Sequence, residues 1–244
     1  MAFLATLMVA CDSKTTIEPQ TVAVEQYGQV STGVNVLTPE EADTGFRLLF
    51  DGDSLAGWHG YGGEDATPGW WVKDGVLAIR SPGAEQSDLV TDDEFRNFEL
   101  RLEWRISDGG NSGFMFNVAE TPDYPSPWHT GPEVQILDNG GHADSSPTHR
   151  AGDLYDLIGS KEDASRSVGE WNESRLLVDN GMVRHWLNGV LMFEVQMWDE
   201  AWDELVAGSK FSTMTGFGMY HSGRIVLQDH GDMVAFRNIR IREF

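Results

Sequence analysis

Hydrophobic and polar residues alternate most regularly at positions 98–106, in the stretch FELRLEWRI. Apolar side chains occupy every second position, and charged residues fill the positions between them. Because successive side chains of a β-strand point to opposite faces, this pattern predicts a strand with one buried face and one polar face.

Other short stretches continue the period of two. In SGFMFNV, the pattern predicts that Phe114, Phe116 and Val118 point inward. Further along, Asn180-Gly181 and Asn188-Gly189 are turn pairs typical of tight hairpins. The final stretches RIVLQDHG and MVAFRNIRIREF read as two more strands. We therefore expect an all-β protein, a sandwich or jelly roll of antiparallel strands.

The start of the chain lacks this alternation. Residues 1–11 are a short apolar run that ends in small residues before Cys11, the single cysteine. This run resembles the end of a bacterial lipoprotein signal, in which the cysteine is lipidated. Met8 stands where leucine is usual, and no Lys or Arg precedes the run. The expected location is the cell envelope, either anchored to a membrane by lipid or periplasmic; the alternative is an apolar start without a targeting role.

Two further segments are expected after this signal. Residues 12–44 are polar and suit a flexible tether. A short helical turn should begin at Thr38, because Pro39, Glu40 and Glu41 follow an N-cap residue with a first-turn proline and two acids. Residues 45–244 then form the folded domain.

The charge of the chain excludes one class of partner. Lys and Arg total 17 against 39 Asp and Glu, a formal net charge of −22. Nucleic-acid binding requires clustered positive charge, which the sequence does not contain. A single cysteine also rules out an intrachain disulfide.

Glu133 and Gln135 are the first candidate functional residues. They lie two apart in GPEVQILDN and should share the polar face of a strand whose other face carries Val134 and Ile136. If the polar face of the 98–106 strand lay beside them, an arginine would hold Glu133 ionised. The alternative is an ordinary solvated face with cross-strand ion pairs, as Arg101 and Glu103 alone suggest. Asp138 falls on the opposite face and is expected in a turn.

Histidine and tryptophan supply the remaining candidates. His185 lies on a predicted strand, and His230 shares a face with Gln228; a lone histidine on a strand is usually structural. The histidines at 129, 142 and 149 have a spacing that fits no compact zinc motif. Trp128 is the tryptophan most exposed by its context, because prolines flank it. Its flat ring could contact a sugar.

Assembled in order, these motifs resemble the 3-keto-disaccharide hydrolase domain family. The resemblance runs from GFRLLFDGDSLAGW to the C-terminal strand and is specific because of the order of its landmarks. They are Leu49-Phe50-Asp51-Gly52, Asn111-Ser112-Gly113, Gly131-Pro132-Glu133-Val134-Gln135, Ala151-Gly152, Tyr155, Glu170-Trp171-Asn172, Leu187-Asn188-Gly189, Ser209-Lys210-Phe211, Leu227-Gln228-Asp229-His230-Gly231 and Phe236-Arg237-Asn238-Ile239. Two positions depart from the pattern: Arg224 stands where histidine is common, and Asp153 replaces a small residue.

The resemblance implies a concanavalin-like jelly roll of two curved antiparallel sheets, with a carbohydrate site on the concave one. It also implies cleavage of glycosides whose sugar carries a ketone at C3. Such a ketone acidifies the hydrogen at C2, so a base can remove it and expel the C1 substituent. Addition of water completes a net hydrolysis.

This chemistry requires one base and a group that stabilises the enolate oxygen. We expect Glu133 or His185 to be the base and His230 to protonate the leaving oxygen. Arg105, Asn111 and Gln135 are expected to orient the sugar or bind the oxyanion. The other expected substrate contacts are Trp128, Tyr155 and Gln228. The sequence specifies no cofactor, but a divalent cation bound to the keto and hydroxyl oxygens could also stabilise the enolate.

A sugar 3-oxidoreductase is the expected upstream partner, because another enzyme must supply the ketone. Two rival functions stay open at this point. One is a non-catalytic carbohydrate-binding module on the same jelly roll. The other is an ordinary glycoside hydrolase, which would need a second carboxylate across a cleft, and the sequence displays none beside Glu133.

Overall fold

The computed structural model describes residues 33–63, 65, 69–79, 87–144 and 146–244. Short antiparallel strands dominate these residues, as the period of two predicts. The strands are β1 Arg47–Leu48, β2 Trp58–Gly60, β3 Trp70–Lys73, β4 Val76–Ile79, β5 Leu89–Thr91, β6 Phe98–Ile106, β7 Asn111–Val118, β8 Glu133–Leu137, β9 Asn172–Asp179, β10 Met182–Leu187, β11 Val190–Gln196, β12 Arg224–Leu227 and β13 Val234–Glu243. The helices are α1 Pro39–Asp43 and α2 Glu200–Ala207, with 3₁₀ turns at Pro127–His129 and Lys210–Thr213.

The strands form two antiparallel sheets. One has the order β11-β10-β9-β6-β13-β4-β3, with β1 paired to β13, and the other has the order β2-β5-β12-β7-β8. Non-consecutive strands lie side by side in both sheets, as in a jelly roll. The fold class expected from the sequence is confirmed.

The inner faces of the two sheets enclose one large hydrophobic core. The alternate apolar residues of β6, from Phe98 to Ile106, are at most 5% exposed and pack in this core. Phe114 of β7 and Val134 of β8 meet them from the five-stranded sheet. Removing this apolar surface from water is the main stabilising contribution to the sandwich.

The polar face of β6 does not lie beside Glu133, so the condition under which an arginine would hold this carboxyl group ionised is not met. β6 belongs to the eight-stranded sheet, and β8 belongs to the other sheet. Arg101 pairs with the buried Glu99, and Glu103 pairs with Arg237. Strand alternation determines which side chains share a face, but it does not determine which sheet a strand joins.

A β-bulge near the end of β7 explains a second difference. Val118 was expected to point inward with Phe114 and Phe116, yet it packs in a separate cluster with Met115. The intervening Asn117 has a positive φ of 53°, and the pairing register between β7 and β12 shifts at the same point. The extra residue reverses the faces of the strand beyond it.

The described part of the predicted tether is packed on the domain. Helix α1 begins after Thr38, whose hydroxyl accepts from the amide of Glu41, as the capping pattern predicts. The carboxylate of Glu41 then accepts a hydrogen bond from Arg240 at 2.6 Å. Asn35 is 8% exposed and exchanges two backbone-to-side-chain hydrogen bonds with Asn238. Residues 33–44 are therefore part of the domain rather than a tether.

The predicted signal at residues 1–11, with Cys11, and the tether at 12–32 lie outside the described residues. Within the described chain, no helix is both long and apolar enough to cross a membrane.

Candidate active site

A cleft of about 700 Å³ lies on the outer face of the five-stranded sheet. This volume is within the range of small-molecule sites. Its floor is polar and comes from β7, β8 and the residue after β12: Asn111, Glu133, Gln135 and Gln228. The prediction that Glu133 and Gln135 share one face of a strand is confirmed. Asn111 from β7 and Gln228, the residue after β12, lie on the same side of the sheet.

Loops build the walls of the cleft. Pro125, Ser126, Pro127 and Trp128 come from the β7–β8 connection, while Tyr155, Lys210, Phe211 and Met214 come from later loops. Because these loops cover the sheet, all five residues of β8 are buried, including the polar ones. The polar face of β8 is therefore covered by protein rather than by bulk solvent.

Glu133 carries a buried carboxyl group on the floor of the cleft. Its side chain is 6% exposed, and within the described chain no donor hydrogen-bonds to it. Burial raises the pKa of Glu133 to about 8; the charge of Lys210 opposes this rise, and the charge of Asp88 adds to it. Such a carboxyl group changes its protonation near neutral pH, as a general acid or base must.

The neighbouring strand makes room for this side chain with a glycine. Gly113 of β7 is paired with Gln135, and the carboxyl of Glu133 lies across it. A Cβ atom at position 113 would be 2.1 Å from Oε1 of Glu133. The glycine in the Asn111-Ser112-Gly113 motif is therefore required by the position of the carboxyl group.

Asp88 and Asp229 form a second acidic group at one end of the cleft. The amide of Asp229 donates to Oδ1 of Asp88 at 2.9 Å, and the amide of Gly231 donates to Oδ1 of Asp229. Burial, with the charge of Asp229, raises the pKa of Asp88 to about 6. Burial also raises the pKa of Asp229. Sequence reasoning missed both residues as site residues, although Asp229 lies in a landmark motif.

Amide side chains and a serine hydroxyl group line the floor of the cleft. Nε2 of Gln135 donates to Oδ1 of Asn111 at 3.1 Å, which orients both amides. The amide of Gln228 donates to the carbonyl of Gly113 and anchors that residue to β7. Oε1 of Gln228 and the hydroxyl oxygen of Ser87 are buried and have no hydrogen-bond partner within the described chain. Buried polar atoms of this kind favour a polar ligand.

Aromatic side chains border the same cleft. Trp128 is 38% exposed and stacks on His129 with ring centroids 4.0 Å apart. Tyr155 is fixed by its amide, which donates to the carbonyl of Glu133. His230 is exposed at the acidic end, beside Asp229. The cleft thus combines a buried acid, paired amides and an exposed aromatic face, which suits a sugar ring.

Comparison with known proteins identifies the family. Residues 45–242, most of the chain, match the family described as the 3-keto-alpha-glucoside-1,2-lyase-like domain. The chain belongs to this family. The resemblance expected from the sequence motifs is thereby confirmed.

Individual relatives agree with this family. The chain is 34% identical over 232 residues to a 3-keto-disaccharide hydrolase of Bacteroides thetaiotaomicron, covering 84% of this chain and 80% of the relative. A crystal structure from Parabacteroides distasonis ATCC 8503, provisionally designated a glycosyl hydrolase, is 34% identical with a TM-score of 0.81, covering 87% of this chain and 100% of the other. A second structure from the same organism, with a similar designation, is 25% identical with a TM-score of 0.64, covering 82% and 99%.

Two residues expected in the site of this 3-keto-alpha-glucoside-1,2-lyase-like domain lie elsewhere. His185 is fully buried between the sheets, where Nδ1 donates to the carbonyl of Gly152 and the ring contacts Phe114. Burial lowers the pKa of His185 to about 4. Arg105 lies on the outer face of the eight-stranded sheet, with its guanidinium 4.8 Å from the ring centre of Trp171. Neither residue lines the cleft, so the expected roles as base and oxyanion ligand are wrong for them.

The departures from the family pattern are structural in this chain. Arg224 lies next to Glu120 and donates to the carbonyl of Thr91. Asp153 is buried and accepts hydrogen bonds from the amides of Arg150 and Ser160. Neither side chain lines the cleft.

Asp138 is a turn residue, as expected: its carboxylate accepts from the amides of Gly109 and Gly140. Among the described residues, no group of three or more His, Cys, Asp or Glu side chains could hold a metal ion. The divalent cation considered from the sequence therefore has no evident ligand set in the described chain.

Proposed function

We propose that this protein cleaves the glycosidic bond of 3-keto glycosides, disaccharides among them, by elimination followed by hydration. Family membership and the 34% identical 3-keto-disaccharide hydrolase support an enzyme that hydrolyses glycosides. The elimination mechanism is supported mainly by Glu133, a buried carboxyl group on the floor of the cleft with a pKa of about 8.

Glu133 acts as the base in this mechanism. It takes the proton from C2, and the electron pair left behind moves onto the C3 oxygen to form an enolate. When the C1–O bond breaks, the ketone re-forms, a C1=C2 double bond remains, and the leaving oxygen takes a proton. Water then adds across this double bond, with its hydroxyl at C1 and its proton at C2, so the net reaction is hydrolysis.

A carboxylate with a raised pKa suits this step. The hydrogen next to a ketone is only weakly acidic, and a base whose pKa lies near the working pH combines basicity with a useful ionised fraction. A glutamate with an ordinary pKa would be fully ionised but a weaker base. The burial that raises the pKa of Glu133 therefore has a chemical use.

The other cleft residues orient the sugar. The amides of Asn111, Gln135 and Gln228 bind ring hydroxyl groups, and Trp128 offers its exposed face to a sugar ring or to the leaving group. His230 protonates the leaving oxygen from the exposed end of the cleft. These roles rest on the lining of the cleft.

A second candidate function is direct hydrolysis of unoxidised glycosides. Asp88 shares the cleft with Glu133, and its charge contributes to the raised pKa of Glu133. The sequence displayed no second carboxylate beside Glu133, but Asp88 lines the same cleft. With Glu133 protonated as the acid and Asp88 ionised, the cleft could support the two-carboxylate mechanism.

One experiment separates these functions. A 3-keto disaccharide and its unoxidised parent are incubated with the protein and with Glu133→Gln, with and without EDTA, and the released sugars are quantified. We expect cleavage of the keto substrate alone, with a loss of at least about a hundredfold in Glu133→Gln. Cleavage of the unoxidised parent would favour the two-carboxylate mechanism. Sugar binding without turnover of either substrate would contradict both and favour a binding module.

Three further expectations belong to this proposal. The ketone must be introduced by a sugar-oxidising enzyme that acts earlier. A loss of turnover on EDTA treatment would support the divalent cation. Attachment to the cell envelope through a lipid on Cys11 stays a prediction, and radiolabelled fatty-acid incorporation that is absent in Cys11→Ser would test it.

A further inference from the structure

We infer that Lys210 binds the C3 oxygen of the substrate and stabilises the enolate, the role that sequence reasoning gave to Arg105. This inference rests on the proposed elimination and adds the residue that receives the negative charge. Lys210 is the only Lys or Arg among the described residues that line the cleft.

The surroundings of Lys210 keep its ammonium group available. Nζ lies 3.9 Å from the ring centre of Tyr155 and 5.1 Å from that of Phe211. Within the described residues, no carboxylate oxygen lies within ion-pair distance of it, in a chain with more than twice as many acids as bases. Aromatic faces hold a cation without occupying its N–H donors. A free donor cation beside a base is the arrangement that enolate formation requires.

The backbone of Lys210 is also held in place. Its amide donates to Oδ2 of Asp156 at 2.8 Å. Oδ1 of Asp156 is in turn 3.1 Å from Nε2 of His149, whose ring lies 4.2 Å from that of Tyr155. Asp156 adopts a positive φ of 59°, a conformation that a non-glycine residue keeps only when its contacts require it. These contacts fix both Lys210 and the ring beneath its ammonium group.

Lys210 and Glu133 interact electrostatically across the cleft. The positive charge of Lys210 lowers the pKa of Glu133 against the larger effect of burial. Both side chains line the same cleft, so a sugar bound there could present its C2 hydrogen to Glu133 and its C3 oxygen to Lys210.

Hydrogen exchange at C2 tests the inference directly. The probe is 3-keto-1,5-anhydroglucitol, which carries no aglycone at C1, so it can form the enolate but has no glycosidic bond to break. Proton NMR in D₂O follows the loss of the C2 signal. We expect exchange by the wild-type protein, none above buffer in Glu133→Gln, and a decrease of about a hundredfold in Lys210→Met with little change in probe affinity.

Matched variants separate this role from a structural one. Lys210→Arg keeps the charge and should recover part of the exchange rate. Lys73→Met removes an exposed lysine that also lies over an aromatic ring, that of Trp71, but outside the cleft, and should leave the rate unchanged. Lys210 is itself exposed, so Lys210→Met should fold, and its melting temperature checks this.

The two proposals fail in different ways. Exchange in Lys210→Met within threefold of the wild-type rate, or a loss confined to probe affinity, would overturn the role of Lys210 and leave the elimination mechanism intact. If the wild-type protein cleaved a 3-keto disaccharide without exchanging C2 of the probe, the elimination mechanism itself would be wrong.

Discussion

The pKa of about 8 at Glu133 makes a quantitative prediction for the pH dependence of cleavage. If the ionised carboxylate is the base, roughly 1% of the protein is active at pH 6, roughly 10% at pH 7 and about half at pH 8. The value of kcat/KM should therefore rise nearly tenfold per pH unit below pH 7 and level off above pH 8. A glutamate with an ordinary pKa of 4.5 would give no change over this range.

Neighbouring charges should move this profile in known directions. The charge of Asp88 raises the pKa of Glu133, so Asp88→Asn should shift the rising limb to lower pH. The charge of Lys210 lowers the same pKa, so Lys210→Met should shift the limb to higher pH as well as reduce its height. Opposite shifts in two variants that line one cleft would identify Glu133 as the titrating group.

The assay must separate catalysis from instability of the substrate. Release of the second sugar from a 3-keto disaccharide is measured between pH 5.5 and 9, and the rate in buffer alone is subtracted at each pH. Activity is measured again at pH 7 after exposure to each pH, to exclude irreversible unfolding. A flat profile, or one that falls between pH 6 and 8, would refute Glu133 as the ionised base; a fall would indicate that its protonated form acts as an acid.

Three further variants test the structure of the site. Burial disfavours ionised Glu133, so the contribution of this group to stability is greatest below pH 4.5 and is lost as pH rises towards 8. Near pH 7, Glu133→Gln should therefore be more stable than the wild type by roughly 3 kcal/mol in urea unfolding. Equal stability of the two proteins would contradict the raised pKa. Gly113→Ala should displace Glu133 and lower kcat at least about tenfold. Gly140→Ala should leave kcat unchanged, because its new methyl group makes only an ordinary contact. Equal activity in the two variants would refute the packing argument. Trp128→Ala should raise KM about three- to tenfold with little change in kcat if its ring stacks on sugar, and an unchanged KM would remove it from the site.

Much of the fold and part of the site follow from local patterns. The period of two predicts the strands, and it places Glu133 and Gln135 on one face. Asn111 and Gln228 join them because β7, β8 and β12 are neighbours, an order that alternation alone does not predict. The shared landmarks of the family supplied that information instead.

Asp88 and Lys210 were missed as site residues for the same physical reason. Asp88 precedes a strand of three residues, and Lys210 begins a short 3₁₀ turn. The positions of both depend on tertiary packing, for which a single sequence has no periodic signal. His185 was open to a better prediction: Val183 and Leu187, two residues before and after it, are apolar, and all three side chains are fully buried. A histidine between apolar neighbours on one face of a strand is more often part of the core.

The distribution of charge over the two sheets explains how Glu133 keeps a high pKa. Arg101, Arg175 and Arg242 all pair with the buried Glu99 on the outer face of the eight-stranded sheet. Burial alone would raise the pKa of Glu99, but Arg101 and Arg175 lower it below its usual value. Glu99 and Glu133 are both buried glutamates on strands, yet their pKa values are shifted in opposite directions. The difference is the number of arginines in contact, three for one and none for the other among the described residues. An arginine beside Glu133, one of the two arrangements considered from the sequence, would have made this residue resemble Glu99, an ionised and weakly basic structural carboxylate. In the proposed mechanism, Lys210, which lies over aromatic rings, supplies positive charge to the cleft, and Glu133 stays basic enough to remove a proton from carbon.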